Sequence, residues 1–194
     1  MLIAWLTRHW VSLALGVGVL LLMLLPIPIY RLQWNSFLIL VYLQTPIYML
    51  HQVEEHTGDR FRRFVNQQIF GGVDALTPLA VLVVNIPGVW GVTLLSLYLA
   101  VFVAAGWGLI GLYLIAVNAI VHIVWSVVFR KYNPGLWTAL LLFLPLSILT
   151  FLRSAGAAAT WIHHLVGLGA ALAIHAELVL HTRARAMRLR ALQH

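Results

Sequence analysis

Residues 11–30, VSLALGVGVLLLMLLPIPIY, run for twenty positions without a charged side chain, about the length an α-helix needs to cross a hydrocarbon core of roughly 30 Å. Arg8 stands before the run and Arg31 follows it. A secretory signal would place a small-x-small cleavage site after its apolar stretch. Pro26-Ile27-Pro28 stands there instead, so the run reads as a retained first helix.

Outward from this stretch the pattern repeats. With a first span at about 10–30, further apolar spans are predicted at about 35–56, 73–101, 107–129, 135–152 and 159–181. Turn signals separate them: Arg31–Ser36, Gly71-Gly72, Gly106-Trp107-Gly108, Tyr132-Asn133-Pro134-Gly135, and the small residues Ser154 to Ala159. Pro87-Gly88 inside the third span leaves either one kinked helix or two. The segment His51 to Gln68 leaves the membrane as a charged helical stretch.

Composition agrees. The chain of 194 residues is 62% hydrophobic and 9% charged, with mean hydropathy +0.96. A soluble domain of this size cannot hide so much apolar surface in one core. The expected fold is all-α: a polytopic transmembrane bundle of about six helices, one domain over 1–194, with a basic tail at 182–194. Trp5, Trp10, Trp34, Trp107 and Trp161 flank the spans as interfacial belts.

The net charge of +7 invites a nucleic-acid reading, but its placement points to lipid. Arg8, the Arg60/Arg62/Arg63 group, Arg130/Lys131 and the Arg183/Arg185/Arg188/Arg190 tail fall on one side, leaving Arg31 and Arg153 on the other. That asymmetry puts both termini in the cytoplasm, facing anionic lipid, with the inner membrane of a bacterium as the expected location. Membrane lipids are the expected partners and nucleic acid is not.

With no cysteine, disulfides and thiolate metal sites are excluded, so any metal must be held by histidine and carboxylate. Ionisable groups inside spans are costly and mark function by default. The densest group is His51-Gln52-Val53-Glu54-Glu55-His56. At 100° per residue, His51, Glu54 and Glu55 share a face, Tyr48 and Gln44 continue it backwards, and His56 points elsewhere. The alternative for this group is an interfacial cluster, with Glu54 and Glu55 paired to Arg60, Arg62 or Arg63 in water.

The fourth span carries Asn118 and His122 one turn apart, and the sixth carries His163, His164 and His175. Depth along the helices brings His51, Glu54, Glu55, His122 and His175 to the inner third of the membrane, while His163 and His164 fall near the outer boundary. Gly167-Leu168-Gly169-Ala170-Ala171 lets the last helix pack closely. Imidazoles and carboxylates at one depth suit a metal site; a metal-free His–Glu proton-transfer pair has the same composition.

His51-x-x-Glu54-Glu55, Asn118-x-x-x-His122, Tyr132-Asn133-Pro134-Gly135, Leu144-Pro145-Leu146 and the late His175 together resemble the HXXEE-domain family of small multi-helix membrane proteins. The resemblance runs from about His51 to the last helix. It implies shared site residues and no particular reaction.

The leading functional expectation is a membrane-embedded metal-dependent enzyme, hydrolase-like, acting on a lipophilic small molecule. His51, His122, His175 and one of Glu54 or Glu55 would hold a divalent metal, zinc or iron, and the other carboxylate would be the general base. Tyr48 is a spare acid, Asn118 is expected to orient His122 or bind substrate, and Gln44 is expected to bind substrate. The alternative is a metal-free acid–base isomerase or binding protein for a sterol-like lipid. A di-iron oxygenase, a small transporter and a haem protein complete the range.

Overall fold

The computed structural model describes residues 1–192, and among them it contains helices and no β-strand. Helix α1 covers Ile3–Arg31, α2 Ser36–His56, and the short α3 Arg60–Phe64, widened through Val65–Ile69. Then follow α4 (Pro78–Phe102), α5 (Ala105–Phe129), α6 (Leu136–Ala157) and α7 (Trp161–Ala191). Helices α1 and α4 to α7, 5 in all, are long and apolar enough to cross a membrane. Their outward faces expose large apolar side chains such as Leu20, Leu95, Phe151 and Leu165, as lipid contact requires.

Helix α2 is the exception that organises the rest. It is 21 residues long and packs against α1, α4, α5 and α6. Its polar side chains Gln44, His51, Gln52 and Glu55 are therefore buried in protein rather than set against lipid. Asn35 caps its start, accepting from Leu38 N at 3.0 Å.

Proline inside a helix does not end it here: Pro46 lies within α2, and Pro28 and Pro87 lie in π-helical turns. Pro87 lies in a π-helical turn, Val84–Trp90, so 78–102 is one continuous helix rather than two. It begins at Pro78, where the sequence pattern suggested 73. Between α2 and α3 the chain turns sharply, with Gly58 at φ +65° and Asp59 at φ +61°, so His51 to Gln68 is two helical pieces. The region expected as a tail from 182 continues α7 to Ala191, with Thr182 and Ala186 buried.

Helix α7 packs along α5, and Gly167 permits the approach: a methyl group there would meet the Leu109 carbonyl oxygen at 2.8 Å. Both chain ends lie at one face of the bundle. The Trp10 ring lies 4.8 Å from that of His56, tilted against it, while Arg185 Nε donates to Asp74 O and Arg190 Nη2 to Phe70 O.

Candidate metal centre

The last turns of α2 put His51 and Glu55 four residues apart on the face turned toward α5 and α6. His51 Nε2 lies 3.5 Å from Glu55 Oε2, and His122 Nε2, from α5, lies 3.5 Å from Glu55 Oε1. One ligand atom from each of the three residues falls within 4.8 Å of the others, and all three side chains are buried. The loop between α5 and α6 closes over them. Gly135 takes φ +100°, and a methyl group there would stand 2.6 Å from His122 Cε1 and 2.8 Å from His51 Cε1. Only glycine satisfies both the backbone conformation and the space.

The remaining nitrogen of each imidazole is tied down, and the ties assign the tautomers. Asn133 Nδ2 donates to the His122 carbonyl at 2.8 Å, which turns Asn133 Oδ1 onto His122 Nδ1 at 2.6 Å. A carbonyl oxygen can only accept, so the proton sits on His122 Nδ1. His51 Nδ1 lies 2.8 Å from Thr138 Oγ1, whose own proton goes to Glu54 Oε2 at 2.5 Å. The charge-assisted bond claims that proton, so the hydroxyl accepts from His51 Nδ1. When neutral, both histidines therefore aim an Nε2 lone pair at one carboxylate. His51 Nε2 has no hydrogen-bond partner. Three electron-rich groups converge on a point that could hold a metal ion.

Glu54 has a different task from its neighbour. Its carboxylate accepts from Thr138 N at 2.7 Å, Thr138 Oγ1, Trp137 N at 3.2 Å and Tyr132 Oη at 2.8 Å. It caps the first turn of α6 from a distance in sequence, satisfying main-chain donors that a helix start leaves open. Burial, and then the hydrogen bond to Glu54 and its charge, push the Tyr132 phenol up to about 12, so it remains a donor. Arg60 reaches the Glu54 main-chain oxygen rather than its carboxylate. Arg62 pairs with Asp59 and Asp74. The interfacial ion-pair alternative is thus not what these glutamates form.

A family model described as a protein of unknown function with HXXEE motif matches residues 42–150, which hold His51, Glu54, Glu55, His122 and the Tyr132–Gly135 loop. The chain belongs to the HXXEE family. No curated protein and no solved structure matches it.

In this HXXEE protein the other sequence-predicted residues fall in three places. Tyr48, Asn118 and His175 line a cavity of about 190 Å³ beside Glu55 and His122. Asn118 donates to Tyr48 Oη and not to His122, because the two-point clamp from Asn133 already holds His122. His175 donates from Nδ1 to Ala171 O at 2.8 Å, which fixes the ring but leaves it outside the compact His51–Glu55–His122 group. Gln44 is remote, packed against Gly111 with Nε2 3.4 Å from Gly108 O. Glu54, as shown, is occupied by α6.

Sequence reasoning missed four residues. Asn133, Thr138 and Gly135 orient and cover the imidazoles, and the Tyr-Asn-Pro-Gly stretch carried that signal as more than a turn. His56, expected to point away, sets Nε2 3.0 Å from Glu55 Oε2, off the axis of a hydrogen bond. It is the last residue of α2, where the departing chain frees its side chain from the helical stripe.

Proposed function

We propose that this HXXEE protein is a membrane-embedded, metal-dependent enzyme of hydrolase-like chemistry that acts on a lipophilic substrate. The observation that carries the reading is the pair of oriented Nε2 lone pairs aimed at the Glu55 carboxylate. Bonds of about 2.0 Å in tetrahedral geometry put neighbouring ligand atoms about 3.3 Å apart. The 3.5 Å separations from His51 Nε2 to Glu55 Oε2 and from His122 Nε2 to Glu55 Oε1 are close to that, and one ligand atom from each residue falls within 4.8 Å of the others. The second nitrogens of both histidines are hydrogen-bonded, as metal-binding imidazoles generally are. Two imidazoles and one carboxylate suit a single zinc or iron(II) ion with an open coordination position. With Glu54 consumed by α6, a second ion would lack carboxylate, which argues against a di-iron centre.

A divalent ion held there would polarise a substrate oxygen and lower the pKa of water. The chain's own groups would do the rest. The cavity is walled by Leu76, Val81, Val89, Leu114, Ile174 and Leu178, apolar side chains suited to a hydrocarbon portion. It reaches Val179, which is exposed on α7, so a lipophilic molecule could arrive from the membrane. Tyr48, polarised by the Asn118 amide, faces the same space as a proton donor. His56 sits against Glu55 on the side of a second, more polar cavity that Thr7, Arg8 and Ser12 also line.

The second reading is metal-free acid–base chemistry on a sterol-like lipid, and His56 is what favours it: a proton shared among His56, Glu55 and the two imidazoles would also relieve the lone-pair convergence. Metal analysis of detergent-purified protein separates the two. The metal reading expects about one zinc or iron per chain, lost in His122→Ala. Protein from metal-supplemented cells that carries none would leave the acid–base reading in its place.

A further inference from the structure

A second feature lies on the face where both chain ends emerge and does not depend on whether a metal binds. Arg60 and Arg63, from α3, and Lys131, from the α5–α6 loop, line one groove of about 340 Å³ with Phe64, Gln67, Gln68, Tyr132 and Pro134. Each cationic head is held by neutral acceptors. Arg60 donates to Thr57 O and Glu54 O, Arg63 to Gly58 O, and Lys131 to Gln68 Oε1. Among the described residues no carboxylate pairs with any of the three. The acids that could have done so are taken: Asp59 and Asp74 by Arg62, and Glu54 by the start of α6.

Three positioned cations without an internal counter-ion, with several N–H donors still free, leave a site for a multivalent anion with tetrahedral oxygens. The apolar surfaces of Phe64, Tyr132 and Pro134 lie in the same groove, where the start of a lipid's glycerol backbone could rest. We infer that this groove binds a phosphate group, and that its natural source is the headgroup of an anionic membrane phospholipid. The site also connects to the buried centre. Tyr132 lines the groove and donates to Glu54, Glu54 accepts from Thr138, and Thr138 accepts from His51. An occupied groove would therefore hold the loop that covers the imidazoles.

The experiment is equilibrium binding to intact protein in neutral maltoside detergent, read by native mass spectrometry. The probes are phosphatidylglycerol, phosphatidylcholine and inorganic phosphate. Two variants are compared: Arg60→Gln/Arg63→Gln/Lys131→Gln, and a control that removes the same charge from the same side, Arg8→Gln/Arg183→Gln/Arg188→Gln. The groove variant should lose phosphatidylglycerol affinity by roughly 10- to 100-fold while the control stays close to wild type. Phosphatidylcholine should bind weakly and alike to all three proteins. Inorganic phosphate bound with the same dependence on the groove, without lipid selectivity, would uphold the phosphate site and overturn the lipid as its source. Equal losses in the two variants, or equal affinity for the two lipids, would overturn the site itself, since net charge or general lipid contact would then explain everything.

Discussion

The molecule holds two histidine clusters, one at each end of the bundle, and they differ in where their nitrogens point. Near the chain ends, His51 and His122 spend Nδ1 on Thr138 and Asn133 and leave Nε2 facing Glu55. At the opposite end, His163 turns Nδ1 back to accept from Thr160 N at 3.0 Å, capping α7, and His164 Nδ1 meets Tyr113 Oη at 2.9 Å. Among the described residues no carboxylate pairs with either member of the second pair. Both clusters press an imidazole onto a glycine, Gly135 in one and Gly106 in the other. The count of histidines is therefore no guide to a site. A site is marked by oriented, unspent lone pairs around a buried anion.

The sharpest way to break this contrast is to remove the anion. Glu55→Gln should abolish stoichiometric metal, whereas His163→Ala and His164→Ala should leave it intact. The same change replaces an anion facing lone pairs with an amide that can donate to one of them. The metal-free Glu55→Gln protein is accordingly expected to melt at or above the temperature of metal-free wild type, a sign opposite to the usual loss from a core mutation. A large fall in its melting temperature would mean that Glu55 is anchored by protons rather than awaiting a cation.

The two glycines give the next largest effect. Gly135→Ala combines a positive φ with contacts under 3.0 Å to both imidazoles, and should cost about 1–3 kcal/mol from backbone strain alone, together with metal affinity. Gly106→Ala meets the His163 ring first, at 2.6 Å, and that half-buried ring can swing outward. Its cost should be on the order of 1 kcal/mol with metal binding unchanged. Thermal unfolding in detergent, run beside metal analysis, measures both. Equal penalties would show that crowding, and not the loop conformation, governs the pair.

Asn133→Leu tests the tautomer lock. Without Oδ1 the His122 ring can rotate or shift its proton, and affinity should fall roughly 10- to 100-fold while full loading is still reached at excess metal. Protons compete with the ion for imidazole nitrogen, so weaker binding means that loading is lost at a higher pH as the solution is acidified. A titration of bound metal against pH, wild type beside variant, reads this directly. An unmoved midpoint would remove Asn133 from the site.

These contrasts also explain what the sequence could disclose. The spans were legible because a bilayer demands about twenty apolar residues wherever a helix crosses it, and His51 and Glu55 were legible because a four-residue step on a helix is a fixed geometry. His122 followed from depth. What stayed hidden was set by loops. Asn133 reaches His122 only because the chain reverses at Gly135, and Thr138 reaches His51 only because α6 starts beneath Glu54. Helical spacing made Asn118 the natural mate of His122, yet Tyr48 across the interface claims it. Glu54 and Glu55, adjacent in sequence, point to different neighbours and do different work, a distinction that no periodicity encodes.

The smallest effect belongs to the far cluster. Tyr113→Phe removes the hydroxyl that meets His164 and leaves the ring in place. The hydrogen bond is only partly buried, so its loss should cost about 1 kcal/mol, since water at the membrane boundary can replace the lost group. Metal content should not move, because among the described residues no chain of hydrogen bonds leads from Tyr113 to Glu55. Thr138→Val is the matched change at the other end: it too removes one hydroxyl next to one imidazole, and it severs the link from His51 to Glu54. If Tyr113→Phe lowers metal affinity as much as Thr138→Val does, the two clusters are coupled through the packing of α5 against α7. The distinction drawn from nitrogen orientation would then be too local to describe how this bundle holds its site.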